Sequence, residues 1–128
     1  GCILVEPHGG PASAALHRRL HDDEHFDLNS PEWRTPQIRG PMSGANQALA
    51  HIVFTRDLSK FRSLFGDRLE LVHRSYSLNA LRYLFSGGLN FRQLLPPASE
   101  SLLKALEAMS KPFAYYWSLH QVIVLRRK

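Results

Sequence analysis

Two apolar runs, one near each end of the chain, restrict the fold more than any other feature of the sequence. Cys2-Ile3-Leu4-Val5 and Val122-Ile123-Val124-Leu125 contain no polar residue. Unbroken hydrophobicity of this kind is typical of strands covered on both faces, as in α/β sheets. The stretch from Leu69 to His73 has the composition of a third strand. A domain usually begins in a surface segment, so we expect a part of a larger domain, with one sheet edge paired elsewhere.

Apolar residues at helical spacing predict several helices between these strands. The third predicted helix carries Leu58, Phe61, Leu64 and Phe65 on one face, and the last carries Leu102, Leu103, Leu106 and Met109 as its core stripe. Ser, Asp and Gly residues at the helix ends are typical caps and stops. The predicted helices run from Ala12 to His21, from a cap at Asp57 to Gly66, from a cap at Ser77 to Gly87-Gly88, and from Pro96-Pro97, with Ser99 or Ser101 as cap, to Pro112.

Two segments are less regular. The polar stretch from Asp22 to Pro41 contains three proline breaks and predicts a long surface loop of the kind that forms lids or binding segments. The stretch from Ser43 to Phe54 is ambiguous: Asn46 to Ala50 is typical of a helix, whereas Ile52-Val53-Phe54 is typical of a strand. The coarse order of elements is strand, helix, loop, helix, strand, helices, strand.

Composition limits the possible functions. The chain has 128 residues, enough for one domain, and a formal charge of +5 that is spread along the sequence. No apolar run is long enough to cross a bilayer, and no basic run alternates with aromatics, so we expect neither a membrane nor nucleic acid as partner. Cys2 is the single cysteine. It excludes an intrachain disulfide, favours a reducing, cytoplasmic location, and is predicted to be a small core residue rather than a nucleophile.

The order of several stretches carries a family resemblance. Gly1-Cys2-Ile3-Leu4-Val5-Glu6-Pro7-His8 is similar to the fifth strand, Leu69 to Tyr76 to the sixth, and Val122 to Lys128 to the seventh strand of one family; residues 39–49 and 83–92 are similar to inserts in one branch of it. The chain thus resembles the C-terminal half of a class I, seven-stranded Rossmann-like S-adenosylmethionine-dependent methyltransferase, of the methyltransferase type 11 kind. The resemblance implies a partial three-layer α/β fold with strand order first-last-middle and an antiparallel last strand.

The cofactor site of that family is absent from this sequence. The family binds S-adenosylmethionine with a Gly-rich loop after its first strand and an acidic residue at the end of its second. Gly9-Gly10 and Gly87-Gly88 do not fit the pattern of that loop. We therefore expect no cofactor-binding residue in this chain, and S-adenosylmethionine only in a larger parent protein.

Candidate substrate-binding residues follow from the implied topology. In open α/β sheets, ligands bind beyond the carboxyl ends of the parallel strands. An antiparallel last strand between two parallel ones would bring its first residues, His120 and Gln121, to that same rim, and the loop could close over it. The predicted substrate-binding residues are Glu6, His8, Met42, Asn46, Tyr76, Asn79 and His120.

Glu6 and His8 are the candidates for a base and its orienting partner. The alternative is that Glu6 caps a neighbouring helix and that His8 is exposed. His17, His21 and His25 recur every four residues and raise the possibility of a metal site, but no H-E-x-x-H is present and an exposed polar face is the favoured interpretation.

Aromatic and basic residues give two further candidates. Tyr115-Tyr116-Trp117 are candidates for an apolar substrate wall, with core or interface anchors as the favoured alternative. Arg82 and Arg92 are candidates for an acidic substrate group, with solvated charges as the alternative.

The sequence therefore predicts the substrate-side part of a methyltransferase that acts on a small-molecule acceptor. Its expected partner is the N-terminal half of the parent protein, and a homodimer is possible. This chain alone is expected to be inactive. An alternative of a different class is a non-catalytic module that pairs through an exposed sheet edge. Nucleic-acid binding driven by the charge of +5 is a third and less favoured hypothesis.

Overall fold

The protein is a mixed α/β structure. The computed structural model describes residues 1–20, 24–33, 45–87 and 92–128. Strands β1 (Cys2–Pro7), β2 (Leu69–Ser77) and β3 (His120–Arg127) form one sheet in the order β1-β3-β2. β3 is antiparallel to both neighbours, so β1 and β2 run parallel to each other. The predicted strand order and the antiparallel last strand are confirmed.

The core lies on one face of this sheet. Along β3 the side chains of Gln121, Ile123 and Leu125 are buried, and the residues between them are half-buried. Ile123 and Leu125 pack with Phe54 and Phe61, whose rings meet at 5.0 Å in an edge-to-face arrangement. Residues paired across antiparallel strands share a face, so this face is the one that the helical segments cover.

The opposite face of β1 is open, contrary to the sequence prediction. Ile3 is 69% and Val5 62% exposed, and Cys2, predicted to be a core residue, is exposed as well. The prediction of a strand covered on both faces is wrong for the described residues. The reason is that side chains alternate between the two faces of a strand: Leu4 packs against the core, no described element covers the face of Ile3 and Val5, and Cys2 is exposed at the start of the strand.

Six α-helices lie in the described residues, with short 3₁₀ turns at Pro97–Ser99 and Lys111–Phe113 and a π-helical segment at Ile52–Arg56. A second apolar cluster, of Leu16, Ala80 and Leu119, joins the helices near the end of the sheet. The helices are α1 (Pro11–Leu20), α2 (Leu49–His51), α3 (Leu58–Phe65), α4 (Ala80–Phe85), α5 (Glu100–Met109) and α6 (Ala114–Trp117).

The predicted strand at Ile52-Val53-Phe54 is wrong. These residues extend α2 as a π-helical turn, in which the Asp57 N–H donates to the Ile52 carbonyl at 2.8 Å. Ile52 and Phe54 are buried. A short apolar run with β-branched residues can be buried equally well in a helix, and periodicity alone does not separate the two.

Asp57 and Ser99 stand at the predicted N-cap positions of α3 and α5, but neither side chain makes a capping bond, and the cap predicted at Ser77 is wrong because Asn79 is the N-cap of α4. Asp57 makes no capping bond to α3; its carboxylate accepts instead from Arg56 and from the Trp33 indole N–H. Ser77 is the last residue of β2. The Ser99 hydroxyl donates to the Pro96 carbonyl at 2.7 Å, and Ser101 lies inside α5. The side chains of Asp57 and Ser99 thus bond to other groups than the helix N–H groups. Ser77 and Ser101 lie within a strand and a helix rather than at a helix start.

The core stripe predicted for α5 is mostly exposed. Met109 is 77% exposed, and Leu102 and Leu106 are exposed too, whereas Leu103 and Glu107 are the buried residues of this helix. α5 packs against α4 with the flank that carries Leu103 and Glu107, so about half of its apolar surface has no cover within the described residues.

Candidate functional site

The strand register places the predicted site residues at one end of the sheet. Pro7 and Ser77 both pair with His120, and Glu6 and Tyr76 both pair with Gln121. The carboxyl ends of β1 and β2 therefore share one rim with the beginning of β3. This is the location that the topology implies for a ligand in an open α/β sheet.

An aromatic cluster around the buried His8 fills the centre of this rim, with His51 and Tyr76 half-buried and Tyr115 41% exposed. The His8 side chain is fully buried, and its ring lies 4.6 Å from Tyr76, 5.0 Å from Tyr115 and 5.3 Å from His51, measured between centroids. His8 Nε2 lies 3.0 Å from the Tyr115 carbonyl. Since a carbonyl only accepts, Nε2 carries the proton and Nδ1 is a bare acceptor. Nδ1 is buried and has no hydrogen-bond partner within the described residues.

His51 is held beside His8 by the turn that follows β1. The Gly9 N–H donates to His51 Nδ1 at 3.1 Å, so the proton of this imidazole is on Nε2. A Cβ on Gly9 would lie 2.4 Å from the His51 ring, and a Cβ on Gly10 would lie 2.4 Å from the Tyr115 carbonyl oxygen. The two glycines thus allow close packing of the cluster.

Both imidazoles are neutral at pH 7. Burial lowers the pKa of His8 to about 4, and the nearby His51 and Arg74 lower it further against the opposing hydrogen bond to Tyr115. Burial also lowers the pKa of His51, with additional effects from Arg74 and Arg56. The interpretation of His8 as an exposed residue is wrong. The His8 ring is shielded from solvent, so no ligand reaches it without movement of its neighbours. His8 therefore orders the rim through packing.

Glu6 is a carboxylate on the rim that has no partner in the described part of the chain. Its side chain is half-buried, and within the described residues it makes no hydrogen bond or ion pair. It therefore neither orients His8 nor caps a helix, which were the two interpretations from the sequence. A carboxylate in this position is available to a donor group from outside the described part of the chain.

Asn46 has a structural role. Its Oδ1 accepts from the N–H groups of Asp27 at 2.9 Å and Ala48 at 3.0 Å, and its Nδ2 donates to the Asp27 carbonyl at 2.7 Å. With both oxygen lone pairs engaged, the side chain fastens the 24–33 segment to the start of α2. Met42, the other predicted residue of this region, lies outside the described residues.

Replacement of Asn46 by Ala is expected to lower the free energy of unfolding by about 1–2 kcal/mol, because Asp27 and Ala48 lose their partners in a partly buried site. Asn29→Ala removes an exposed asparagine side chain of the same segment and is the matched control, with little loss. Urea unfolding of the three proteins measures the difference. Equal losses in the two variants would contradict the assignment of the Oδ1 contacts.

Two open recesses lie near the rim. One, of about 460 Å³, lies beyond β2 and is lined among others by Asn79, Arg82 and Tyr83. The other, of about 430 Å³, lies beyond β1 and is lined among others by Gly9, Asp27 and Tyr115. Of the two recesses, the one beyond β1 shares Tyr115 with the His8 cluster, whereas the one beyond β2 lies between α4 and α5.

Asn79 lines the recess beyond β2, and His120 lies next to this recess, against its wall residue Tyr83. The Asn79 Oδ1 atom is buried and has no hydrogen-bond partner within the described residues. The His120 ring lies 6.1 Å from Tyr83, and burial, with a smaller effect of His17, lowers the pKa of His120. Both residues are therefore neutral polar groups at the edge of the cavity.

The predicted histidine series does not form one surface. His17 is buried in α1, where Nδ1 donates to the Ser13 carbonyl at 2.9 Å and the ring stacks on Phe26 at 4.2 Å. His25 is exposed, and His21 lies outside the described residues. Within the part of the chain that the structure describes, no group of three or more His, Cys, Asp or Glu side chains could hold a metal ion.

The basic and aromatic candidates from the sequence also lie in different surroundings. Arg82 is not a solvated charge, because it is paired with the buried Glu107, while Arg92 is exposed. Tyr115 belongs to the His8 cluster, and Tyr116 and Trp117 are exposed.

His51 and Glu107 were missed from the sequence. His51 lies in the ambiguous segment, and Glu107 lies in a predicted apolar helix face without any local sign that it would be buried.

No family model matches the sequence, and no curated protein and no solved structure matches it either. Within the described residues, no helix is long and apolar enough to span a bilayer. The geometry of the rim is therefore the basis for assigning a function.

Proposed function

We propose that this chain is the C-terminal, substrate-side part of an S-adenosylmethionine-dependent methyltransferase that acts on a small-molecule acceptor in the cytoplasm. The observation that supports the proposal is the strand order β1-β3-β2, with an antiparallel last strand between two parallel ones. The resemblance implies this order for the last three strands of a seven-stranded Rossmann-like sheet.

The two edges of the sheet differ in a way that supports the same proposal. β2 carries an irregularity between Leu71 and His73, a device that discourages further pairing. β1 has a regular register along its whole length and an apolar outer face at Ile3 and Val5. The remaining strands of the parent sheet would continue from β1, and helices of the N-terminal half would cover these two side chains.

The residues of this chain would contribute to the reaction by positioning the acceptor. S-adenosylmethionine, held by the N-terminal half, supplies the methyl group. The rim supplies a rigid wall: the His8 cluster fixes the ends of β1 and β2, and the carboxylate of Glu6 is placed to accept a hydrogen bond from the acceptor. Catalysis of in-line transfer then rests on alignment and exclusion of water.

Calorimetric titration tests this assignment. The 128-residue chain is expected to show no binding of S-adenosylmethionine, because the Gly-rich loop and the acidic ribose ligand are absent. The protein extended by the upstream residues of its own coding sequence is expected to bind with a micromolar dissociation constant. Micromolar binding by the 128-residue chain, or an upstream sequence without a Gly-rich strand–turn–helix, would contradict the proposal.

A second candidate function is a non-catalytic module that pairs through β1. The open edge and the exposed side chains of Ile3 and Val5 favour it, since a strand added there would find free backbone groups and apolar contacts. The partner would be another protein or a second copy of the chain. A start codon immediately upstream of Cys2 would support the module and contradict the methyltransferase.

A further inference from the structure

A half-open apolar recess lies between α4, α5 and α6, away from the His8 cluster. Its volume is about 280 Å³. Leu78, Leu81, Leu106 and Trp117 form its walls together with Ala80, and the buried Glu107 and Ser110 complete it. We propose that this recess binds an uncharged aromatic compound of one or two fused rings that carries a single N–H or O–H donor.

Two of the apolar side chains that line the recess are exposed to solvent, so a ligand that covers them would bury apolar surface. Trp117 is 54% and Leu106 43% exposed, although both face a concave, apolar site. Large apolar side chains grouped around a concavity are typical of binding sites rather than of solvated surface. An indole wall favours a planar aromatic ligand, which it can contact face to face or edge to face.

Size and charge select the ligand class. A volume of about 280 Å³ holds one small ring system and excludes a helix or a strand. The one charged group of the described lining, Glu107, is already neutralised by Arg82. A charged ligand would therefore lose its hydration without gaining a counterion, which disfavours both acids and amines.

Glu107 also explains why one donor is expected. Its Oε1 accepts from the Arg82 backbone N–H at 3.0 Å and its Oε2 from Arg82 Nε at 2.5 Å. A carboxylate has about four acceptor positions, so both oxygens keep spare capacity. A ligand N–H or O–H directed at this carboxylate would make a charge-assisted hydrogen bond in a site with mostly apolar walls.

Protein-observed NMR with indole as the probe tests the proposal. Indole is expected to shift resonances of α4, α5 and α6, the Trp117 side-chain N–H among them, with a dissociation constant on the order of 1 mM. Benzofuran, which has the same shape but no donor, is expected to bind at least about fivefold more weakly. Benzoate and tryptamine are expected to leave these resonances unchanged.

Matched variants locate the site. Leu106→Ala and Trp117→Ala each remove a wall of the recess and are expected to weaken indole binding by about fivefold or more. Met109→Ala, on the same helix but outside the recess, is expected to keep the affinity within about twofold. Circular dichroism checks that each variant folds; these side chains are half-exposed or more, so folding is expected to persist.

Several results would overturn the proposal: no shift in α4–α6 at several millimolar indole, equal binding of indole and benzofuran, binding of benzoate or tryptamine, or unchanged affinity in both wall variants. The recess is formed by this chain alone. Its occupancy is therefore independent of S-adenosylmethionine binding, and failure here leaves the methyltransferase proposal intact.

Discussion

Acidification is expected to destabilise the protein before its carboxylates titrate. Between pH 7.5 and pH 5 the free energy of unfolding should fall by about 2 kcal/mol, and by about 3 kcal/mol at pH 4, through His8 alone. The cause is the enclosure of the His8 ring between Tyr76, Tyr115 and His51. In the unfolded chain this imidazole is solvated and takes up a proton readily.

The direction of the effect follows from proton binding. Burial lowers the pKa of His8 from 6.5 to about 4 in the folded protein. Between these values the unfolded state binds more protons than the folded state, so stability rises with pH across this window. The contribution is fully present above pH 6.5 and is lost progressively down to about pH 4. His51 and His120, whose pKa values are also lowered, add to the same slope.

Urea unfolding as a function of pH measures this effect. His8→Phe keeps a ring in the cluster but cannot be protonated, and it loses the bond to the Tyr115 carbonyl. This variant should therefore be less stable at pH 7.5 by about 1 kcal/mol and lose less stability on acidification. His25→Gln changes an exposed histidine and is the matched control, with the slope of the original protein. A His8→Phe slope as steep as that of His25→Gln would contradict the assignment.

The arrangement of the sheet could be predicted from the sequence because it depends on few, strong signals. Apolar runs marked β1 and β3, and the implied order of the strands then fixed which residues meet. Once β3 is antiparallel between parallel neighbours, His120 must lie beside Pro7 and Ser77. The location of the rim therefore followed from topology, without knowledge of any side-chain contact.

Burial of individual side chains could not be predicted in the same way. An apolar run such as Cys2 to Val5 indicates that a strand can be buried. It does not show whether another element covers each face of that strand. In α5 three of the four residues predicted as the core stripe are exposed, because α4 packs against the flank with Glu107 rather than against Met109. Whether a surface is buried depends on neighbours distant in sequence.

The composition of the site depended on such neighbours as well. His51 meets His8 across an interval of more than forty residues, from the end of α2, directly before the π-helical segment that had been interpreted in part as a strand. Asn46, predicted to face a ligand, fastens Asp27 instead. Local pattern identified the polar residues near the rim, whereas their hydrogen-bond partners were decided by the packing of separate segments.

Loss of the Arg82 side chain is expected to be among the most destabilising single changes outside the sheet. Glu107 is only 4% exposed, and Arg82 supplies both hydrogen bonds that its carboxylate accepts. Arg82→Met leaves a buried carboxylate with one backbone donor. We expect the free energy of unfolding to fall by about 3 kcal/mol, at the lower end for a broken buried pair, because the guanidinium is 38% exposed and retains part of its hydration.

Two further variants distinguish a lost attraction from a stranded charge. In the double variant Arg82→Met, Glu107→Gln, neither charge remains and the glutamine Oε1 can still accept from the backbone N–H of residue 82, so most of the stability should return because no carboxylate has to be desolvated. Lys104→Met breaks the exposed pair with Glu100 on the same helix and should change the stability little. If the double variant were as unstable as Arg82→Met, the loss of stability would not come from the unpaired carboxylate of Glu107. It would come from altered packing between α4 and α5 or from the lost attraction between Arg82 and Glu107.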